Sequence, residues 1–339
     1  MATNGNDSNI VCSGKLDDPD ITGLLVILAF ILSLIITFCS VLYTYLSISL
    51  PKTAYNGFDA LVIPKWVVQK LAAENEKNAQ SKLAAWTSLV LAMSDQHLVT
   101  GTAMLITSYA IAAGAGGLDK ERTVYSLRVA TSLATCAAIV HIATLSVLRF
   151  RFHHRTVDSA LRHFAIVVFV GLTFGARIAS SFTSFEEDGQ CVFKSRVSRG
   201  FAGMTETDRI RVTATAMEMV GLWVCLYRSL KSCLHIGGLR SVVRFCLRKI
   251  RGDWQMSLSR RQSSSPLLTM VVEFSESSLI DMLWLSLFFC YSLAEIGRIY
   301  AGRVKFGTAV VVEPSFGQLM PMLVLTGSLL GVLTTWKGM

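Results

Sequence analysis

Seven long apolar runs divide this chain, and they limit its fold more than any other feature. A helix that crosses the hydrocarbon core of a membrane needs about 20 consecutive, mostly apolar residues. Lipid offers the backbone no hydrogen-bond partner, so each run must be helical. The sequence therefore predicts an all-α polytopic membrane protein, a bundle of seven transmembrane helices. The runs cover residues 21–48, 94–115, 124–148, 164–183, 210–230, 279–301 and 315–335.

The composition argues against a soluble globular protein. Of the 339 residues, 52% are hydrophobic and 16% are charged, whereas about 25% of the residues in a soluble domain are charged. The net charge of +9 does not indicate nucleic-acid binding, because the Lys and Arg residues fall in blocks between the apolar runs. Membrane proteins distribute their charge in this way. We therefore expect membrane lipids as partners, and no nucleic acid.

The basic residues predict the orientation of the bundle. With the N-terminus outside, nineteen Lys and Arg residues fall in inner segments and nine in outer segments. Cytoplasmic segments carry the excess of basic residues in membrane proteins. The expected topology is therefore N-terminus outside and C-terminus inside, in the endoplasmic reticulum or the plasma membrane.

The segments between the runs suggest four sections. They are an outer polar tail (1–20), five spans with an inner surface helix at about 65–86 (21–230), a basic cytoplasmic loop (231–278), and the last two spans with a short inner tail (279–339). Between 239 and 251 of the loop, apolar residues recur at helical spacing opposite a row of arginines. This pattern predicts an amphipathic helix lying on the anionic inner leaflet.

Two of the eight cysteines, Cys12 and Cys191, fall in the predicted outer segments. A disulfide between them is one expectation, and two free thiols are the other. The remaining six lie in spans or on the inner side. They are expected to pack as small hydrophobic residues or, near the membrane, to carry acyl groups.

Ionisable residues within the apolar runs are the candidates for function, because a charge inside a membrane is costly and needs a partner or a cavity. The predicted orientation sorts them into two layers. The outer layer holds Arg128, Arg177, Glu218, Glu295 and Arg298, and the inner layer holds Asp95, His97, His141 and Asp281.

The outer layer allows two interpretations. Glu218 or Glu295, enclosed by apolar side chains, can remain a neutral carboxylic acid that donates a proton to an alkene, an epoxide or a carbonyl. Alternatively, Glu295 can pair with Arg298 three residues along one helix, while Glu218 pairs with Arg128 or Arg177. Such a network would fix the helix packing and do nothing more.

The inner layer points to structure more than to chemistry. Asp95 follows Ser94 at the expected start of the second span, where the pair fits a helix cap, and Asp281 fits a similar place. His97 and His141 are expected to be packing residues. A metal site made by these histidines and Asp95 needs the second and third spans to face each other, and no metal-ligand spacing supports it.

No sequence motif points to a cofactor. The chain lacks a Walker loop, a dinucleotide-binding glycine pattern, H-E-x-x-H, G-x-S-x-G and C-x-x-C-H. The acidic tract 17–20 is too exposed and irregular to clamp a diphosphate through magnesium. We therefore expect no cofactor and no metal.

One segment carries a resemblance to a family. Residues 94–101, S-D-Q-H-L-V-T-G, resemble a signature of filamentous-fungal multi-pass integral membrane proteins whose usual form is S-D-Q-Q-L-V-T-G, with His97 here in place of Gln. Cys12 with residues 18–23, and residues 141–149, resemble the same proteins, so the likeness covers roughly residues 9–230. Most members have no assigned activity. Some proteins of this general kind accompany fungal secondary metabolism, where seven-span terpene cyclases provide a weaker analogy.

Three functions are compatible with these features. The first is a membrane-embedded, metal-independent cyclase or isomerase of a lipophilic isoprenoid or meroterpenoid, with Glu218 or Glu295 as proton donor and Arg128 or Arg177 adjusting its environment. The second is a non-enzymatic seven-span sensor or adaptor that signals through the basic inner loop. A transporter is the weakest, because the chain has no internal repeat.

Overall fold

The computed structural model describes residues 24–47, 76–112, 124–148, 156–181, 206–234 and 277–305, together with Thr326 and Leu330. These residues form six long helices. They are α1 (Leu24–Ser47), α2 (Glu76–Ala112), α3 (Val124–Leu148), α4 (Thr156–Ser181), α5 (Glu206–Leu234) and α6 (Ser278–Lys305). Each is long and apolar enough to cross a membrane. The chain is therefore all-helical in its described part, and its six apolar helices are those of an integral membrane protein.

Four of the predicted spans are confirmed closely. The apolar parts of α1, α3, α5 and α6 cover Leu25–Tyr45, Leu127–Leu148, Arg209–Leu230 and Leu279–Ala301. The fourth predicted span also forms, but its helix begins at Thr156 rather than at 164. The seventh predicted span lies outside the described residues except for Thr326 and Leu330, which are both helical.

The start of α2 corrects two predictions. The helix begins at Glu76 and continues without a break to Ala112, so Ser94 and Asp95 lie in its middle and do not cap it. Residues 76–86, expected to belong to a separate surface helix, are the first turns of the same helix. No Pro or Gly interrupts residues 76–100, so nothing in the sequence stops helix propagation there. Trp86, in these first turns, is buried, and its ring centroid lies 5.0 Å from that of Tyr43.

Helix α3 is the centre of the bundle. Every residue from Leu127 to Leu148 is buried, and α3 contacts each of the other five helices. Those five close a ring around it in the order α1, α2, α4, α5, α6, and the stacked rings of Phe38 and Phe289 join the first to the last. Ala, Ser, Thr and Cys make up much of α3. Such small side chains let neighbouring membrane helices come close.

Two glycines mark close approaches between helices. A Cβ atom at Gly101 of α2 would lie 2.9 Å from Cζ of Phe169 on α4. A Cβ atom at Gly221 of α5 would collide with the ring of Phe288 on α6. In both places the missing side chain makes room for an aromatic ring from the next helix.

Several predictions lie outside the described residues. They concern the outer tail (1–20), Cys12 and Cys191, the part of the surface helix before Glu76, and the loop from 235 to 276 with its amphipathic helix.

Candidate functional site

A buried ion pair links α4 to α5. Arg177 donates through Nη2 to Oε2 of Glu218 at 2.9 Å, and through Nη1 to the hydroxyl oxygen of Ser132 on α3 at 3.2 Å. Ser292 on α6 donates its hydroxyl proton to Oε1 of Glu218. One guanidinium and one carboxylate thus join four helices, and we call these four residues the Arg177–Glu218 cluster.

The Arg177–Glu218 cluster is almost completely enclosed. The exposed fraction is 5% for the Arg177 side chain and 1% for that of Glu218. The guanidinium is always charged in proteins, so the contact is a charge-assisted pair, the stronger kind of hydrogen bond. Both oxygens of Glu218 accept hydrogen bonds. The Glu218 carboxyl group is therefore held in place by partners on α4 and α6.

Glu295 has a different environment. It lies on α6 one turn after Ser292 and is half-buried. Its Oε2 atom is enclosed without a hydrogen-bond partner among the described residues. Tyr291, one turn before it, lies within electrostatic range of Glu295, Glu218 and Arg177. Glu295 therefore has one enclosed oxygen without a hydrogen-bond partner among the described residues, whereas both oxygens of Glu218 accept hydrogen bonds.

The other two outer-layer residues differ in burial. Arg128 is buried on α3, one turn before Ser132. Arg298 is exposed on α6. No ion pair joins it to Glu295 within the segments that the structure describes, so the expected pairing of these two residues along the helix does not form.

His97 of α2 makes polar contacts with α1. Its Nε2 atom lies 3.0 Å from Oγ1 of Thr37 and 3.2 Å from Oγ of Ser33. Thr37 donates its own proton to the Ser33 carbonyl at 2.8 Å, so its oxygen is left to accept from His97. The ring of Phe30 packs edge-on against the imidazole, with 5.5 Å between the ring centroids. His97 is thus a buried histidine that holds α1 against α2, as a packing residue would.

His141 of α3 bonds to α2 through Ser94. Its Nδ1 atom lies 2.7 Å from the Ser94 hydroxyl and 3.4 Å from the Ser94 carbonyl, which can only accept. The carbonyl contact favours the tautomer with the proton on Nδ1. Nε2 then carries a lone pair, and it is enclosed without a hydrogen-bond partner among the described residues. His97, Arg162 and His163 lie within electrostatic range of this ring.

Two further ion pairs involve the inner-layer carboxylates. Asp95 pairs with Arg162 of α4 at 2.9 Å, and both side chains are about one-third exposed. Asp281 pairs with Arg228 of α5, and its own side chain is buried. The Cys225 thiol lies 4.0 Å from the same carboxylate oxygen of Asp281. These pairs join α2 to α4 and α5 to α6.

The inner layer does not form the metal site that Asp95, His97 and His141 suggested. Among the residues that the structure describes, no three His, Cys, Asp or Glu side chains come together so as to hold a metal ion. The two histidines do lie on facing helices, but Ser and Thr hydroxyls take up the nitrogens that face those helices.

Sequence reasoning missed the neutral partners. Ser132 and Ser292 complete the Arg177–Glu218 cluster, and Ser33, Thr37 and Ser94 contact the histidines. Helical spacing could have pointed to Ser132 and Ser292. Ser132 lies four residues after Arg128, and Ser292 lies three residues before Glu295. Arg162 and Arg228 belong to the nineteen basic residues counted in the inner segments. The sequence did not identify their carboxylate partners.

Comparisons of the chain with models of protein families, with curated proteins and with solved structures give no match. The site is therefore interpreted from its own geometry.

Proposed function

We propose that this protein is a membrane-embedded, metal-independent cyclase or isomerase of a lipophilic isoprenoid or meroterpenoid, with Glu295 as the proton donor. The observation that carries the proposal is the contrast between two neighbouring carboxyl groups. Glu218 is paired and fully hydrogen-bonded, whereas Glu295 has an enclosed oxygen with no partner among the described residues. Carboxyl groups in such different environments are the usual arrangement for separate acid and stabilising roles.

The proposed reaction is an isomerisation that needs no cofactor. The O–H bond of Glu295 breaks. Its proton adds to one carbon of an alkene, where a C–H bond forms as the π bond breaks, or to the oxygen of an epoxide, where an O–H bond forms as a C–O bond breaks. Either step leaves a carbocation and the Glu295 carboxylate. The electron pair of a second alkene then closes the ring. Loss of a proton from carbon to the Glu295 carboxylate, directly or through water, regenerates the acid. The product has the same atoms as the substrate, so no oxidant or reductant is consumed.

The Arg177–Glu218 cluster supports this chemistry by fixing a charge. In a site of low dielectric, a carboxylate held by an arginine and a serine stabilises a developing carbocation without reorganising. The apolar bundle keeps water away from that cation. Ser292 and Glu295 lie one turn apart on α6, so the same helix positions the stabilising group and the donor.

Turnover and melting of matched Glu→Gln variants test the proposal. Glu295→Gln is expected to abolish product formation from prenylated substrates in microsomes while its detergent melting curve stays like that of the wild type. Gln keeps the shape and hydrogen-bonding capacity of Glu but has no acidic proton. Glu206→Gln, at an exposed position at the start of α5, is the control. Undiminished turnover by Glu295→Gln would exclude Glu295 as the acid.

The geometry of the Arg177–Glu218 cluster also favours a second function, that of a non-enzymatic sensor or adaptor. Three hydrogen bonds join these four residues across four helices, which is typical of a group that fixes packing. On this alternative, no prenylated substrate is turned over, and the basic loop at 231–278 forms the output surface. Product formation by the wild-type protein separates the two functions.

We also propose the finer topology of seven spans, with the N-terminus outside and the C-terminus inside, in the endoplasmic reticulum or the plasma membrane of a filamentous fungus. The basic residues of the inner segments support this orientation. The likeness of residues 94–101 to the fungal signature supports a filamentous fungus as the source. Single cysteines placed in the 231–278 loop are expected to react with an impermeant thiol reagent in intact microsomes, whose outer face is the cytoplasmic one. Labelling of that loop only after the vesicles are opened would reverse the orientation.

A further inference from the structure

Tyr291 lies near both carboxyl groups of the candidate site. It comes four residues before Glu295 on α6, so the two side chains share one face of that helix. Its phenol group hydrogen-bonds to Thr215, a buried residue of α5. Glu295, Glu218 and Arg177 lie within electrostatic range of the phenol. Tyr291 is therefore anchored to one helix of the site while it belongs to the other.

Oε2 of Glu295 lacks a hydrogen bond that Tyr291 can supply. The atom is enclosed, and no donor among the described residues reaches it. Both oxygens of Glu218, by contrast, already accept hydrogen bonds. A phenol oxygen accepts and donates at the same time. When the Thr215 hydroxyl donates to it, the proton of Tyr291 is left for Glu295, its neighbour on α6.

We propose that Tyr291 donates a hydrogen bond to the carboxylate that Glu295 becomes after it has protonated the substrate. This inference rests on the proposed function, in which Glu295 is the acid, and it adds the group that stabilises the conjugate base. Tyr291 keeps its own proton throughout, so no bond of the phenol breaks. Thr215 acts through Tyr291, because its hydrogen bond orients the phenol.

This hydrogen bond serves the reaction because the resting protein does not make it. An interaction that forms only as the proton leaves lowers the energy of the transition state without tightening the binding of the substrate. Hydrogen bonds to an ionised acceptor are about twice as strong as those between neutral groups. The gain is therefore largest for the carboxylate form of Glu295.

The ionisation of Glu295 in the full-length protein, followed by its carboxyl infrared band, tests the contact without a substrate. The band is assigned by its loss in Glu295→Gln. Tyr291→Phe keeps the ring and removes only the hydroxyl, so the midpoint of the titration should move to higher pH by about one unit, because the carboxylate loses a donor. Tyr227→Phe, at an exposed position of α5, is the control.

An unchanged midpoint in Tyr291→Phe, or an equal shift in Tyr227→Phe, would overturn the inference. Thr215→Val should shift the midpoint in the same direction but by less, since the phenol is retained and only loses its orientation. A protein without any titrating band that depends on Glu295 would contradict both the acid and its donor.

Turnover provides the second measurement. Tyr291→Phe is expected to lower kcat by about tenfold and to leave KM unchanged, because the hydrogen bond is absent when the substrate binds. A change in KM or in the melting curve alone would make Tyr291 a packing residue. Product formation with an unchanged kcat in Tyr291→Phe would contradict this inference alone. A shifted midpoint without product from any prenylated substrate would contradict the proposed function alone.

Discussion

Arg177 on α4 and Glu218 on α5 form an ion pair of 2.9 Å from which solvent is almost excluded. The two residues are 41 positions apart in the sequence, and the pair depends on hydroxyl groups from two further helices. Breaking such a pair from one side leaves an uncompensated charge in a medium that solvates it poorly. The contribution of the pair to the stability of the protein is therefore best measured by changing both partners together.

We expect Glu218→Gln to lower the free energy of unfolding by about 3–5 kcal/mol, because it leaves the Arg177 guanidinium uncompensated. The double variant Arg177→Met/Glu218→Met should lose much less, since it removes both charges. Unfolding in mixed detergent micelles gives the four free energies of a closed cycle made by the wild type, Arg177→Met, Glu218→Met and the double variant. If the two single changes sum to the effect of the double variant, the pair contributes no coupling.

Ser292→Ala should lower the free energy of unfolding by about 1–3 kcal/mol, because Oε1 of Glu218 then loses its donor inside the bundle. Ser286→Ala, one and a half turns earlier on α6, is the control. Ser286 only donates to the carbonyl of Met282 in its own helix, so its loss should cost less than about 0.5 kcal/mol. Equal melting temperatures of the two variants would contradict the role assigned to Ser292.

The sequence predicted the helices well because lipid imposes a length and a composition on each span. The predicted span 279–301 coincides with the apolar part of α6, Leu279–Ala301. Prediction failed at the start of α2, where residues 76–93 mix polar and apolar side chains and hydropathy alone did not reveal that the helix continues. The position of Ser94 then suggested a cap where the structure has a mid-helix hydrogen-bonding residue.

The site was predictable only in part. Glu218 and Arg177 were recognisable because a charge within an apolar run needs a partner, but the choice between Arg128 and Arg177 depends on how the helices pack. The serine partners were harder to identify, because Ser is common in membrane helices and many of them, such as Ser286, only bond their own backbone. The difference between Glu218 and Glu295 could not be read from the sequence at all.

Gly101→Ala is expected to destabilise the protein by about 1–3 kcal/mol, because the new methyl group would overlap Phe169. Gly171→Ala on α4 is the matched control. A Cβ atom there meets nothing within 4 Å, so replacing a helical glycine should be neutral or stabilise by up to about 1 kcal/mol. Thermal unfolding in detergent measures both. A tolerated methyl group at Gly101 would mean that α2 and α4 can move apart.

Asp281→Asn should cost more than Asp95→Asn. The Asp281 side chain is 5% exposed and pairs with Arg228, so its loss is expected to cost about 3 kcal/mol. The Asp95–Arg162 pair is about one-third exposed on both sides, where a pair contributes less than about 1 kcal/mol. The comparison uses melting curves at low and high salt. If Asp95→Asn cost more than Asp281→Asn, burial would not determine how much each pair contributes to stability.

The pairing of Cys12 with Cys191 stays a prediction from the sequence. If the bond exists, peptides containing the two residues should be recovered together after proteolysis without reductant. Cys12→Ser should then lower the melting temperature, because a bond that closes so long a loop contributes up to about 4–5 kcal/mol in the chain-entropy model. Alkylation of both thiols in protein prepared without reductant would exclude the bond.

The central position of α3 has a consequence for biosynthesis. This helix leaves the ribosome before α4, α5 and α6, yet those three later helices contribute the three members of the Arg177–Glu218 cluster that join its Ser132. Until they arrive, a helix that has no outward face in the finished protein lies with polar side chains against lipid or translocon. A chain interrupted after residue 155 would keep that surface uncovered, and membrane quality-control factors could recognise it as unfinished.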